Sequence, residues 1–167
     1  MAVRQVITWG DPRLKSKNQD VGEWSHELEQ LVEDMFETMI ALEGSGIAAP
    51  QLGININLAV IDTTGGTDSN QRVVLINPEI LEEEGEQAGS EGCLSIPGIQ
   101  ENLKRPMRVR VKTRKPDGTY SEIEGQEFLA RALRHEIDHL NGRLFVEYFG
   151  PVKRGIVQRK YQKMQRA

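Results

Sequence analysis

The stretch His135-Glu136-Ile137-Asp138-His139 constrains this chain more than any other. It lies in a helical pattern, and on an α-helix residues i and i+4 share a face, so both imidazoles can reach one ion from a single rigid element. Glu136, one step along, is placed to take a proton from a water held there. Two of the chain's three histidines are in this run. Catalytic sites of this kind use three protein ligands and keep a position open for water, so the chain must supply one more donor. Its single cysteine, Cys93 in Glu91-Gly92-Cys93-Leu94-Ser95, is the candidate.

The 167 residues suit one domain, residues 1–167, large enough for a core that needs no covalent staples. A single cysteine excludes an internal disulfide and fits a reducing, cytoplasmic compartment. No apolar run approaches membrane-spanning length, and Met1 to Gly10 lacks the apolar stretch of a signal peptide. Neither a membrane nor a DNA partner is expected. Charge is unevenly spread. Residues 151–167 hold six basic side chains (Lys153, Arg154, Arg159, Lys160, Lys163, Arg166) and no acidic one. Taking these six from the 21 basic residues leaves 15 against 25 acidic ones, a body of −10 with a tail of +6. That asymmetry points the tail at a polyanion.

The rest of the chain supplies the frame. Asp11-Pro12 is a cap followed by a first-turn proline. Ser25 caps a helix whose Leu28, Leu31, Val32, Met35, Phe36, Met39 and Ile40 form a core stripe, with Gly44 and Gly46 expected to end it. Gly44 to Gln51 reads as a loop of small residues that let backbone approach closely, with Gln51 its one long hydrogen-bond donor. Leu58 to Asp62 and Arg72 to Asn77 read as a hairpin, and Glu82 to Glu86 as a solvated edge. Met107 to Thr113 alternates as a strand with one wet face, and Pro116-Asp117-Gly118 turns it into Thr119 to Glu124. The motif helix is expected over about Gln126 to Leu140, stopped by Asn141-Gly142, and a basic helix from about Pro151 to the end. His26 reads as a surface residue and Asp138 as structural.

Three separated segments resemble the peptide deformylases. Gly44-Ser45-Gly46-Ile47-Ala48-Ala49-Pro50-Gln51 is similar to their first motif, with Ile47 where leucine is common. Glu91-Gly92-Cys93-Leu94-Ser95 matches the second in full, and Arg134 to Gly142 resembles the third, with Arg134 where glutamine is usual. Asp11-Pro12-Arg13-Leu14, Ile76-Asn77-Pro78 and Gly142-Arg143-Leu144-Phe145 agree, so the resemblance spans nearly the whole chain. It implies an α+β fold with antiparallel β-sheets wrapped around a central metal-binding helix, and a C-terminal helix. It implies removal of the formyl group from the N-terminal formyl-methionine of nascent peptides. One divalent ion is implied, iron(II) natively and replaceable by zinc, nickel or cobalt, held by Cys93, His135 and His139.

In that resemblance Glu136 is the general base, and the Gln51 side-chain amide with the Leu94 backbone N–H forms an oxyanion hole. Substrate contacts fall on Gly44, Ser45, Gly46, Glu91, Gly92, Phe128, Arg131 and Ala132. Glu91 and Arg105 read as a supporting ion pair. Relatives usually place branched aliphatics at the positions of Ser45 and Arg131. An unpaired buried charge is costly, so Arg131 is expected to lay its stem along the pocket with its head in solvent. The terminal helix implies a ribosomal partner near the exit tunnel. Two other readings stay open. A zinc endopeptidase shares the His-Glu-x-x-His run, but its extended form needs a histidine where Phe145 stands, and Glu147 lies in the turn after the helix. An inactive ribosome-associated metal-binding module is the other, and intact Glu136 and Gln51 argue against it.

Overall fold

The computed structural model describes residues 2–166. Asp11 accepts from the Arg13 N–H and opens a one-turn 3-10 helix, Pro12–Lys15. Before it, Val6 to Trp9 forms no regular element. Its N–H groups instead bond the carbonyls of Gln51 and Ser95, tying the N-terminal segment to two later loops. Helix α1 (His26–Ala41) is capped by the Ser25 hydroxyl as expected, and buries Leu31, Val32, Met35, Phe36 and Met39. Its end differs from the expectation. The left-handed residue is Glu43 (φ 58°), neither of the glycines. The N–H of Glu43 reaches Ile40 O and that of Gly44 reaches Met39 O, which satisfies the last carbonyls of the helix.

The small-residue stretch expected as a loop contains strand β1 (Gly46–Ala48) and a 3-10 turn, Ala49–Leu52. Strand β1 pairs antiparallel with β2 (Leu58–Ile61), and β2 with β3 (Val73–Ile76), so the expected hairpin supplies the central strand and one outer strand of a three-stranded sheet. Next come β4 (Glu79–Glu84), β5 (Gln87–Cys93), β6 (Ile96–Arg105), β7 (Arg108–Arg114) and β8 (Tyr120–Gln126). Strands β4, β7 and β8 form a second antiparallel sheet in that order, and β5 and β6 a two-stranded hairpin. Strand β4 is an edge, but its acids are engaged rather than merely solvated. Glu82 pairs with Arg108 and Arg110 and Glu84 with Arg108, and these arginines also reach Glu124 and Glu122 across the sheet. A charged edge also discourages pairing with another chain.

Helix α2 (Phe128–Leu140) lies among these sheets. Ala130, Leu133, Ile137 and Leu140 pack with Ala59, Ile61, Leu75, Val109 and Val111 in one core. Gly125 of β8 allows this approach, since a Cβ there would sit 2.7 Å from Leu133 Cδ1. Asn141 and Gly142 (φ 73°) end the helix as the sequence indicates. After a 3-10 turn, Phe145–Tyr148, helix α3 (Pro151–Gln165) buries Val157 and Tyr161, the latter with its ring 5.4 Å from that of Trp9. The α+β architecture is the expected one. No helix among the described residues is long and apolar enough to cross a membrane.

Candidate active site

The donor atoms of Cys93, His135 and His139 lie within 4.8 Å of one another. They come from two elements. The histidines stand one turn apart on α2, with Nε2 atoms 3.2 Å apart, and Cys93 Sγ is 3.3 Å from His139 Nε2. Cys93 is the last residue of β5, where the register shifts between Gly92 and Cys93 just before the Leu94-Ser95 turn. Irregularities of this kind re-aim a side chain. One thiolate and two imidazoles suit zinc and the first-row divalent ions alike.

Behind the ligands lies a buried ionic cluster centred on Glu91. One carboxylate oxygen meets His135 Nδ1 at 2.6 Å and Arg105 Nη2 at 2.7 Å. The other accepts from Arg105 Nε at 3.0 Å and Arg131 Nη1 at 2.9 Å. By engaging Nδ1, Glu91 turns His135 Nε2 toward the cluster. Burial alone would raise the pKa of Glu91, but Arg105 and His135 outweigh it and hold the carboxyl well below the usual range. Arg105 continues to Asp138 at 2.8 Å, which also accepts from the Tyr148 hydroxyl and pairs with Arg134. Asp138 is thus structural, as read. Burial, then the charge of His135, drives the His139 pKa well below the ordinary value. Burial opposes a proton on His135 too, yet Glu136, Cys93 and Glu91 prevail and its pKa rises well above 6.5. A cation entering here competes with that proton, so its affinity falls in acid.

Glu136 is buried, Oε1 has no hydrogen-bond partner among the described residues, and burial first of all pushes its pKa up to about 7. The bare Cα of Gly46 makes room for it: a Cβ there would stand 2.6 Å from Glu136 Oε2. Gly44 serves Leu94 in the same way, at 2.7 Å from Cδ1. Gln51 is 1% exposed. Its oxygen accepts from the Ala48 N–H at 2.8 Å, while its Nε2 donates to Ser95 Oγ at 3.1 Å and lies 3.7 Å from Cys93 Sγ. A cleft of about 520 Å³ opens over this cluster, and Gly44, Ser45, Gly46, Glu91, Gly92, Cys93 and Leu94 line it with Phe128, Arg131, Ala132, His135 and Glu136. His139 and Gln51 lie behind the lining.

One expectation is overturned. Arg131 does not point its head to solvent: it is 5% exposed and its guanidinium turns inward onto Glu91. The Glu91 charge compensates the burial, which a sequence pattern does not display. The Glu91–Arg105 pair does form, but Glu91 holds two arginines and a histidine. The sequence assigns no role to Ser95 or Tyr148; Ser95 closes the matched Glu91 to Ser95 stretch and there accepts from Gln51, while nothing in the sequence links Tyr148 to Asp138.

A cysteine sulfur and two imidazoles converging beside a buried carboxylate, under a cleft, mark the class as a metal-dependent hydrolase. The comparisons narrow that class. The chain matches the family model described as polypeptide deformylase over residues 3–155. It is 45% identical over 167 residues to a peptide deformylase of Acidobacterium capsulatum, covering 100% of this chain and 98% of that one. Among solved structures, a peptide deformylase from Legionella pneumophila superposes with a TM-score of 0.93 at 41% identity, covering 99% and 96% of the two chains. One from Ehrlichia chaffeensis in complex with actinonin superposes with 0.89 at 35% identity, covering 100% of both. The chain belongs to the polypeptide deformylase family. It is accordingly a metal-dependent deformylase, and the endopeptidase and inactive-module readings lapse.

Proposed function

We propose that the cleft takes the N-terminal formyl-methionine of nascent peptides and that Glu136, Gln51 and the Leu94 N–H act on its formyl group. The observation that carries this is the position of the buried, unpartnered Glu136 carboxylate beside three converging donors in the cleft. Cys93, His135 and His139 would hold a divalent ion, which would supply Lewis acidity there. Iron(II) is proposed as the native ion. Glu136 takes the proton of the attacking water at Oε1 and returns it to the departing amine, so that formate and a free amino terminus leave. As the formyl oxygen gains charge, Gln51 Nε2 donates to it, exchanging its long contact with sulfur for a charged acceptor. The Leu94 N–H, in the turn beside Cys93, is the second donor. Gly46 lets the peptide backbone lie close, and Glu91 orients His135 rather than touching substrate.

The complex of the Ehrlichia chaffeensis relative supports a cleft that also takes actinonin. The basic surface of α3 is proposed to meet ribosomal RNA in the cytoplasm, since its five cationic residues and Arg166 at its C-cap are all exposed. The central experiment measures formate and free amine released from a formyl-Met tripeptide by the metal-loaded enzyme, beside internal cleavage of an unformylated peptide. Deformylation without internal cleavage is expected. Glu136→Ala should keep the metal and lose about 10² to 10⁴-fold in turnover. Near-normal turnover in that variant removes Glu136 from the role of base.

A further inference from the structure

The turn that precedes α3 braces the histidine layer from behind. Phe145–Tyr148 is a single 3-10 turn, closed by Glu147 Oε2 accepting from the Leu144 N–H at 2.7 Å. It reaches α2 at two points. The Phe145 ring packs against that of His135, with centroids 5.9 Å apart. Tyr148, three residues on, meets Asp138. Its hydroxyl has one proton, and chemistry fixes where that proton points. Arg134 Nη2, 3.1 Å away, can only donate, so the hydroxyl accepts from it and gives its own proton to Asp138 Oδ2 at 2.9 Å. The same Asp138 oxygen accepts from Arg105 Nη1 at 2.8 Å. Arg105 is therefore held on three sides. Nε and Nη2 grip the two oxygens of Glu91, Nη1 rests on Asp138, and the guanidinium lies 4.9 Å from the centre of the Tyr148 ring.

We infer that Tyr148 is a positioning residue for the metal centre: its hydroxyl fixes Asp138, Asp138 fixes Arg105, and Arg105 sets the Glu91 carboxylate that orients His135. The inference rests on the reading of Cys93, His135 and His139 as the metal ligands. Tyr148 is neither one of these donors nor a lining residue of the cleft, so it acts only through the groups between. The bidentate grip of Arg105 carries orientation, because a planar fork with two parallel N–H groups fixes the plane of the carboxylate it holds. Glu91 needs that constraint. Arg131 also draws on one of its oxygens at 2.9 Å, while the other must stay 2.6 Å from His135 Nδ1. With Arg105 free to tilt, the carboxylate would follow Arg131 and leave the imidazole unheld. Groups behind a metal ligand act by keeping it in the geometry an ion needs, and their loss is read in metal affinity.

Tyr148→Phe is the decisive variant, because it keeps the ring beside Arg105 and deletes only the hydroxyl. Zinc affinity by competition with a chelator at neutral pH is measured beside kcat and KM for a formyl-Met tripeptide at saturating metal, and beside the melting temperature of chelator-treated protein. The zinc dissociation constant should rise about five- to tenfold, the lower end for groups behind a metal ligand. At saturating metal kcat should fall while KM holds. Arg143→Gln is the control. Its guanidinium covers the same ring at 3.9 Å, yet its side chain makes no hydrogen bond to Asp138 or Arg105 among the described residues, so it should leave affinity and kcat as they are. A merely structural Tyr148 would lower the melting temperature and leave affinity and kcat unmoved, and that result overturns the inference. An equal loss in Arg143→Gln overturns it too, by assigning the effect to packing on the ring. Should Tyr148→Phe not fold, Arg134→Gln frees the hydroxyl to turn from Asp138 and should raise the dissociation constant about threefold or more; an unchanged value there overturns the inference in the same way. A native chain whose zinc affinity is untouched by Cys93→Ala would instead strike the ligand reading, and this inference with it.

Discussion

Glu91→Gln tests the buried cluster most directly. The substitution keeps the shape of the side chain and removes one charge that faces Arg105, Arg131 and His135 at 2.6–3.0 Å. Two guanidinium groups, both nine-tenths or more buried, then lack their shared counter-charge. Removing one partner of a buried pair costs about 3–5 kcal/mol. At roughly 2–4 °C per kcal/mol for a chain of this size, the melting temperature should fall by about 6–20 °C. Metal affinity should fall by about 10- to 100-fold as well, because His135 loses the carboxylate that orients it. The pH dependence has a definite sign. Glu91 has a depressed pKa in the folded state, so its contribution is fully present above the unfolded value of about 4.3 and is lost as pH falls through the folded value. The gap between wild type and variant should therefore hold from pH 7 to about 5 and narrow below about 4. Thermal unfolding of chelator-treated protein across that range, with a metal titration at neutral pH, measures both effects. A fall of under about 3 °C with unchanged metal affinity would show that the arginines are held by other means.

Cys93→Ala should abolish both metal binding and turnover, since two imidazoles alone leave the site a donor short; full occupancy by elemental analysis refutes the assignment. For the tail, truncation is the wrong instrument, because α3 buries Val157 and Tyr161 in the core. Reversing Arg159, Lys160 and Lys163 to glutamate should instead spare small-peptide turnover while weakening ribosome co-sedimentation in a salt-dependent way, and unchanged co-sedimentation counts against the docking role.

Local rules with short reach made much of this protein legible in its sequence. The 3.6-residue period put His135 and His139 on one face, Ser25 marked the start of α1, and Asn141-Gly142 marked the end of α2. Each depends on residues within one or two turns. Matching three short segments in order was enough to select the family and, through it, the fold. The hairpin of β5 and β6 was not legible, because Gln87-Ala88-Gly89-Ser90-Glu91-Gly92 has no apolar alternation; its strand form comes from pairing with residues 100–105. Likewise β1 looked like a loop until β2 offered it an edge. Arg131 is the clearest case. By itself a guanidinium belongs in water, and only the fold brings it within 2.9 Å of the Glu91 carboxylate, forty positions away in the chain. Helical period and caps are properties of neighbours along the chain, whereas the protonation, pairing and burial of a charge depend on which distant groups the fold sets beside it.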